Sequence, residues 1–268
     1  MTIVVGAASP DGIVIAADSR TTLIDGTRHR ISTDAADKVF ELKDFGVATY
    51  GAALIGPRTI NGLMDEFVAT VDERACLGGE EFAVALGEFF DQRYIAANGP
   101  TDTTAGWPLG FLVAGYDDAG IGHIWEVGVP GKTVSKTQAN TADRGTLWRG
   151  QVDVIGRLIK GVDLNALAAS GSAIDPPTQE TLAKLEYILL HPVTLQDAAD
   201  MAAFLVRTTI DMQRFSDGTA LTPGLVPGCG GVTQMLAVTR SGVQWISRRR
   251  LAGPSQPGWA EGASQPAA

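Results

Sequence analysis

The chain has 268 residues, 45% of them hydrophobic and 19% charged, with a formal net charge of −9. That apolar content is enough for one large core, and the acidic balance excludes a nucleic-acid surface, which needs clustered Lys and Arg. The low charge fraction fits equally an ordinary large core or a surface partly buried in an oligomer. Two cysteines, Cys76 and Cys229, stand far apart without a CxxC, and His29, His123 and His191 show no metal spacing. Reduced thiols, no metal site and no cofactor are therefore expected. No apolar stretch reaches the ~20 residues that span a bilayer, and no basic segment precedes the first apolar run. A soluble, cytoplasmic protein with no membrane partner is expected.

Taken in chain order, Ile3–Ala7 and Ile13–Ala17 flank Pro10-Asp11-Gly12 and read as a hairpin. Both runs are apolar throughout, as strands covered on both faces are. Lys38–Leu42 and Phe45–Tyr50 predict a second hairpin turning at Lys43-Asp44. Gly56-Pro57 reads as a helix start with Pro at the first position, and Ile60, Leu63, Met64, Phe67 and Val71 follow at helical spacing. Cys76-Leu77-Gly78-Gly79 breaks that pattern, and a second helix carries Phe82, Leu86, Phe89, Phe90 and Tyr94 to Asn98-Gly99-Pro100. Glu80 and Glu81 suit the positive end of its dipole.

Strands return at Phe111–Tyr116, His123–Val127 and Thr133–Thr137, with Val129-Pro130-Gly131 as a turn. After Gly150 a helical pattern runs through Val152, Ile155 and Leu158. Ala168–Pro177 reads as a loop or insertion, and Leu182, Leu185 and Leu189 as a short helix. Thr194, with Asp197 three residues on, predicts a capped helix start continuing through Met201, Leu205, Thr208 and Met212. Thr233–Val238 and Val243–Ile246 are the last strands, and Arg248-Arg249-Arg250 a solvated strand end.

Helices come in blocks, which argues against a doubly wound parallel sheet. Strands apolar on both faces need cover on both. The expectation is an α+β fold, a four-layer α-β-β-α sandwich of two stacked antiparallel sheets. One domain spans residues 1–252, and the Pro/Gly/Ala/Ser-rich residues 253–268 form a disordered tail.

The chain opens Met1-Thr2. A small second residue lets methionine aminopeptidase remove Met1. Thr2 would then carry a hydroxyl and an α-amine on one residue. An α-amine titrates near pKa ~7.7–8.0 and can accept the hydroxyl proton, so Thr2 is a nucleophile and base in one.

The pattern Thr2-x-Val4-x-Gly6, then Asp11-Gly12-x-Val14-x-Ala16-Ala17-Asp18-Ser19-Arg20, then Lys38-Val39-Phe40 and Gly51, resembles the β-type proteasome subunits and their bacterial relatives. These are N-terminal nucleophile hydrolases. The likeness is concentrated in the first seventy or so residues, with a compatible element order beyond. It implies Thr2 as nucleophile, Lys38 as the active-site lysine and Asp18 as its acidic partner. It further implies Arg20 as a brace of that acid, and Gly51 as the residue whose backbone N–H forms the oxyanion hole. A lysine ammonium favours the alkoxide, and a glycine lets the backbone approach a scissile carbonyl. Small residues at Thr21, Ala36 and Thr49 hint at room for a sizeable substrate side chain.

Two family segments are altered. The serine-bearing loop before the third helix is replaced by Ala142–Gly150, where Thr146 or Asp143 is the candidate substitute. The family's Asp-x-x-Ser-Gly segment falls on Gln213–Gly218, where Asp217 is the candidate acid.

The implied function is a threonine-type endopeptidase of a self-compartmentalising homo-oligomer, a ring or helical stack. It would act on polypeptides or peptides and is compatible with an ATP-dependent unfoldase partner. The alternatives are a non-catalytic structural subunit on the same fold and an N-terminal nucleophile amidase acting on a small molecule.

Overall fold

The computed structural model describes residues 1–25, 28–72, 78–100, 108–131, 133–139, 144–171, 174–219, 222–224 and 226–248. In chain order these form β1 (Ile3–Ser9), β2 (Gly12–Ala17), β3 (Thr21–Asp25), β4 (Arg28–Thr33), β5 (Val39–Leu42), β6 (Phe45–Gly51), β7 (Leu54–Ile55) and β8 (Arg58–Thr59). Helices α1 (Ile60–Asp72) and α2 (Gly79–Asn98) follow, then β9 (Leu109–Tyr116), β10 (Gly122–Val129), β11 (Thr133–Ala139) and β12 (Thr146–Gly150). The chain closes with α3 (Asp153–Lys160), α4 (Leu164–Ala169), α5 (Pro176–Leu185), α6 (Leu195–Arg214), β13 (Gly218–Thr219), β14 (Thr222–Pro223), β15 (Gln234–Thr239) and β16 (Gly242–Ser247).

Two five-stranded sheets, ordered β12-β1-β2-β15-β16 and β11-β10-β9-β6-β5, carry the fold. Every pairing in them is antiparallel. With six helices among the described residues, the class is α+β.

The unbroken apolar strands are explained by what lies on each face. Val4, Ala8, Ile13 and Ile15 of the first sheet share one core with Ala48, Leu112, Ala114 and Ile124 of the second. The alternate residues Ile3, Val5, Ala7 and Val14 pack instead with Ala198, Ala202 and Leu205 of α6 and Ile155 of α3. A third core joins the other face of the second sheet, through Phe111, Val113 and Trp125, to Phe67 of α1 and Phe82 and Phe90 of α2. Each wholly buried Ile or Phe contributes about 1.5–3 kcal/mol, so both faces of β1 and β2 are under strong apolar selection. Trp148, on β12, packs against the α6 core.

Several predicted elements shift. Gly56-Pro57 does not open a helix; it turns the short β7–β8 hairpin. The helix begins after Thr59, whose hydroxyl accepts the Gly62 N–H at 3.2 Å and caps it. The segment read as a loop up to Gly150 contains β12, an edge strand paired with β1. Its mixed sequence, Thr-Leu-Trp-Arg-Gly, hides it because an edge strand buries only part of its surface. Of the predicted loop Ala168–Pro177, Ala168 and Ala169 belong to α4 and Pro176 and Pro177 to α5, and Ser172 and Ala173 lie outside the described residues. Leu189 lies beyond α5. The β3–β4 hairpin has no counterpart in the reading from sequence.

The predicted Thr194 cap is present in full: Asp197 N–H donates to Thr194 Oγ1 at 3.1 Å, and Asp197 Oδ2 accepts the Thr194 N–H at 2.9 Å. Cys76, Asp143, Arg249, Arg250 and the 253–268 tail lie outside the described residues. Among the described residues, no helix is long and apolar enough to cross a membrane.

Candidate active site

Thr2 is buried directly before β1 and is pinned from its carbonyl side. Opposite Ile3, Gly150 takes φ +87°, and a Cβ there would lie 2.0 Å from the Thr2 carbonyl oxygen. The next residue, Gln151, donates its N–H to that oxygen at 2.7 Å. Only glycine permits this closeness.

Asp18 follows β2, whose pairing with β1 sets Val4 opposite Ala17. The carboxylate is wholly buried. It accepts the N–H groups of Ile3 at 3.1 Å, Arg20 at 3.1 Å and Gly230 at 2.9 Å, and the Lys38 ammonium at 2.8 Å. Lys38 sits just before β5, where Gln234 Oε1 accepts its backbone N–H at 2.9 Å. Four donors on one anion compensate its loss of water. Lys38 thereby keeps a counter-ion inside the protein.

The Lys38 ammonium also donates to the Met1 carbonyl oxygen at 3.4 Å, and Thr2 Oγ1 donates to the same oxygen at 2.7 Å. Hydroxyl and cation thus converge on one point at the chain's amino end. The Met1 amine donates to Thr22 Oγ1 at 3.1 Å. Burial, then the Lys38 charge, lowers that amine's pKa from its ordinary 8.0, against smaller raising effects of Cys229 and Asp18. Burial pushes the Cys229 thiol well above its usual value, so it is protonated and inert at neutral pH.

Gly51 ends β6 and lines a cavity of about 670 Å³ together with Thr2 and Lys38. A Cβ on Gly51 would lie 2.3 Å from the Pro108 carbonyl oxygen. Thr21, Ala36 and Thr49 line the same cavity. One residue before Gly51, the Tyr50 hydroxyl donates to buried Glu126 at 2.9 Å, and Glu126 pairs through both oxygens with Arg149, the neighbour of Gly150. This network ties the Gly51 end of one sheet to the β12 edge of the other. Burial and the Glu126 charge raise the Tyr50 pKa, and the Glu126 hydrogen bond raises that of Arg149.

The structure therefore brings Thr2, Asp18, Lys38 and Gly51 together. Arg20 differs from its expected role. Its guanidinium grips Asp34, at 2.6 Å and 2.9 Å, and only its backbone N–H reaches Asp18. Asp217 is exposed in the turn between α6 and β13 and does not line the cavity. Thr146 pairs with Ala7, four residues along β12 from Gly150, or roughly 13 Å at strand rise.

Gln151, not Thr146, touches Thr2, through its backbone N–H, and its side chain meets Gln213. Gln213 Nε2 donates to Gln151 Oε1 at 2.9 Å, and Gln213 Oε1 accepts the Cys229 N–H at 2.8 Å. Gln213 and Ser216 occupy the Asp and Ser places of an Asp-x-x-Ser spacing, a signal present in the sequence. Gly230 was the other residue missed; the cluster Gly228-Cys229-Gly230-Gly231 marks where backbone must come close. A Cβ on Gly230 would meet the Arg20 guanidinium carbon at 2.4 Å.

His123 pairs with Asp117 at 2.8 Å and, like His29 and His191, does not line this cavity. Among the described residues, no group of three His, Cys, Asp or Glu side chains is placed to hold a metal ion. No protein-family model matches the chain, and no curated protein matches it.

Proposed function

We propose that the protein is a threonine-type peptidase of the N-terminal nucleophile class, acting through Thr2 once Met1 is removed. The observation that carries the reading is that Thr2 Oγ1 and the Lys38 ammonium both reach the Met1 carbonyl oxygen, which departs with Met1 and leaves the two groups facing one point, with Lys38 held by buried Asp18. The Thr2 amine accepts the hydroxyl proton, and Oγ1 attacks a peptide carbonyl. The C–N bond then breaks as the protonated amine gives its proton to the leaving amine, and water hydrolyses the acyl-enzyme ester. Lys38 stabilises the negative charge developing on Oγ1. The Gly51 N–H, at the rim of the same cavity, receives the oxyanion; one such donor is worth about 2.7–4 kcal/mol in the transition state.

The three cores support a four-layer α-β-β-α sandwich as the finer description of the fold, with α1 and α2 outside one sheet and α3 and α6 outside the other. We further propose that copies of the chain assemble into a ring or helical stack that encloses the sites, in the cytoplasm, where an ATP-dependent unfoldase could feed it polypeptides.

Intact mass of protein purified from cells should show loss of Met1. A β-lactone or epoxyketone probe should then form an adduct on Thr2, absent in Thr2→Ala. Native mass should exceed that of a monomer. A Met1-free protein that resists the probe would favour the second reading, a structural subunit. The neutral Gln151–Gln213 pair in place of the family's serine and acid is the feature that favours it. Cleavage of small amides but no peptides would favour the amidase.

A further inference from the structure

The cavity beside Thr2 contains a carboxylate that the proposed chemistry does not use. Asp37 directly precedes Lys38 and lines the cavity with Thr2 and Thr49. Its Oδ1 accepts from Gln234 Nε2 at 2.9 Å and its Oδ2 from Asn61 Nδ2 at 3.4 Å. Both donors are neutral amides. The nearby cations are committed elsewhere, Lys38 to Asp18 at 2.8 Å and Arg20 to Asp34 at 2.6 Å. Among the described residues, none forms an ion pair with Asp37.

A carboxylate offers about four acceptor positions, and these two bonds occupy two. The anion is half-buried, where a charge-assisted bond is stronger than in water. Thr21, Ser32, Ala36 and Thr49 form small or hydroxyl-bearing parts of the wall, and Leu23, Tyr50, Leu54 and Ile60 form apolar parts. The cavity of about 670 Å³ leaves length for an extended side chain with an aliphatic stem. The Lys38 ammonium faces the same space, but Asp18 balances its charge.

We propose that Asp37 is the specificity-determining residue of this cavity, and that the site selects peptides with a basic side chain, Lys or Arg, on the acyl side of the bond to be cut. The aliphatic stem lies along Ala36 and Thr49, and the cationic head reaches Asp37. This rests on Thr2 being the nucleophile.

The test uses Met1-free protein and fluorogenic peptides that differ only in the residue before the reporter: Arg, Lys, Leu or Glu. Arg and Lys should be turned over at least tenfold faster than Leu at low substrate, and Glu slowest. Asp37→Asn should lower the Arg-to-Leu ratio of kcat/KM about tenfold. Asn61→Lys, which offers Asp37 an internal cation, should lower the same ratio. Probe labelling of Thr2 is followed in parallel. Labelled Thr2 with Leu preferred over Arg, or a ratio unchanged in both variants, overturns the specificity proposal and leaves the nucleophile standing. Unlabelled Thr2 with no peptide cut overturns the nucleophile. In that case an Arg-ended peptide that binds wild type and loses at least tenfold in affinity in Asp37→Asn still upholds the cation site, and failure to bind overturns it too.

Discussion

Gln213 and Gln151 meet end to end, Nε2 of the first donating to Oε1 of the second at 2.9 Å. The pair links three things that must stay in register. Gln151 holds the Thr2 carbonyl through its backbone N–H, Gln213 sits on the last turn of α6, and its carbonyl takes the Cys229 N–H. The next residue, Gly230, donates to Asp18. A neutral amide pair thus joins the strand beside Thr2 to the loop behind Asp18.

Gln213→Ala should therefore leave the Cys229 N–H and one end of the Gln151 amide unsatisfied. The expected loss is about 1–3 kcal/mol of stability in urea unfolding. A double-mutant cycle with Gln151→Ala should show coupling of about 0.5–3 kcal/mol. Asp217→Asn, at an exposed turn, should stay within about ±0.5 kcal/mol and leave peptide turnover unchanged. Loss of turnover in Asp217→Asn would return the acid's role to that residue.

Asp18 and Lys38 should respond unequally. Asp18→Ala strands a cation whose side chain is 6% exposed and removes the acceptor of three backbone N–H groups. Breaking a buried pair this way costs about 3–5 kcal/mol. Lys38→Met leaves Asp18 with its three N–H donors, so the loss of stability should be smaller. It should nonetheless abolish probe labelling of Thr2. A Lys38→Met protein that labels at the wild-type rate would remove Lys38 from the mechanism.

What the sequence made legible follows from which interactions are local. The β1–β2 and β5–β6 hairpins, the heptad-like spacing of α1 and α2 and the Thr194 cap each depend on residues a few positions apart, and all were readable. Thr2, Asp18, Lys38 and Gly51 were readable only because a spaced pattern resembled a known one. Gln151, Gln213 and Gly230 act across long separations and through neutral amides or backbone, which carry no charge pattern to notice. Asp217 drew attention because it is an acid. The structure uses the amide four residues earlier, where the helix end aims it at Gln151. Arg20 drew attention by its place next to Asp18-Ser19, yet its side chain is taken by Asp34, which becomes its neighbour only once the β3–β4 hairpin returns the chain.

Gly150→Ala isolates the effect of position at Thr2, the proposed nucleophile. The added Cβ would lie 2.0 Å from the Thr2 carbonyl oxygen, at φ +87°. Gly99→Ala, with φ +74° and nothing within 4 Å of its Cβ, is the control for backbone strain alone. The control should lose about 1–3 kcal/mol, because Gly99 pairs φ +74° with ψ −173°, a region nearly confined to glycine. Gly150→Ala should lose more than that and should also reduce kcat/KM by about 10²-fold, as displacements near 1 Å do. Equal losses of stability with undiminished turnover would show that Thr2 is not held by this contact.

The dependence of rate on pH follows from the amine. In the chain with Met1 in place, burial and then Lys38 hold the terminal amine below its ordinary 8.0. With Met1 gone the amine belongs to Thr2 and lies beside the same Lys38, whose positive charge acts in the same lowering direction. A proton is taken up only by the neutral amine. Rate should therefore rise with pH through the amine's pKa, and a lowered pKa moves that rise to lower pH. The acid limb of kcat/KM, which reports the uncomplexed enzyme, should have its midpoint below 8.0. Because the site is buried, added salt should move it little. Acetylation of the Thr2 amine should remove both the limb and the activity, with Thr2 Oγ1 still in place. A midpoint at or above the ordinary amine value, or an acetylated enzyme that still turns over, would assign the base to another group.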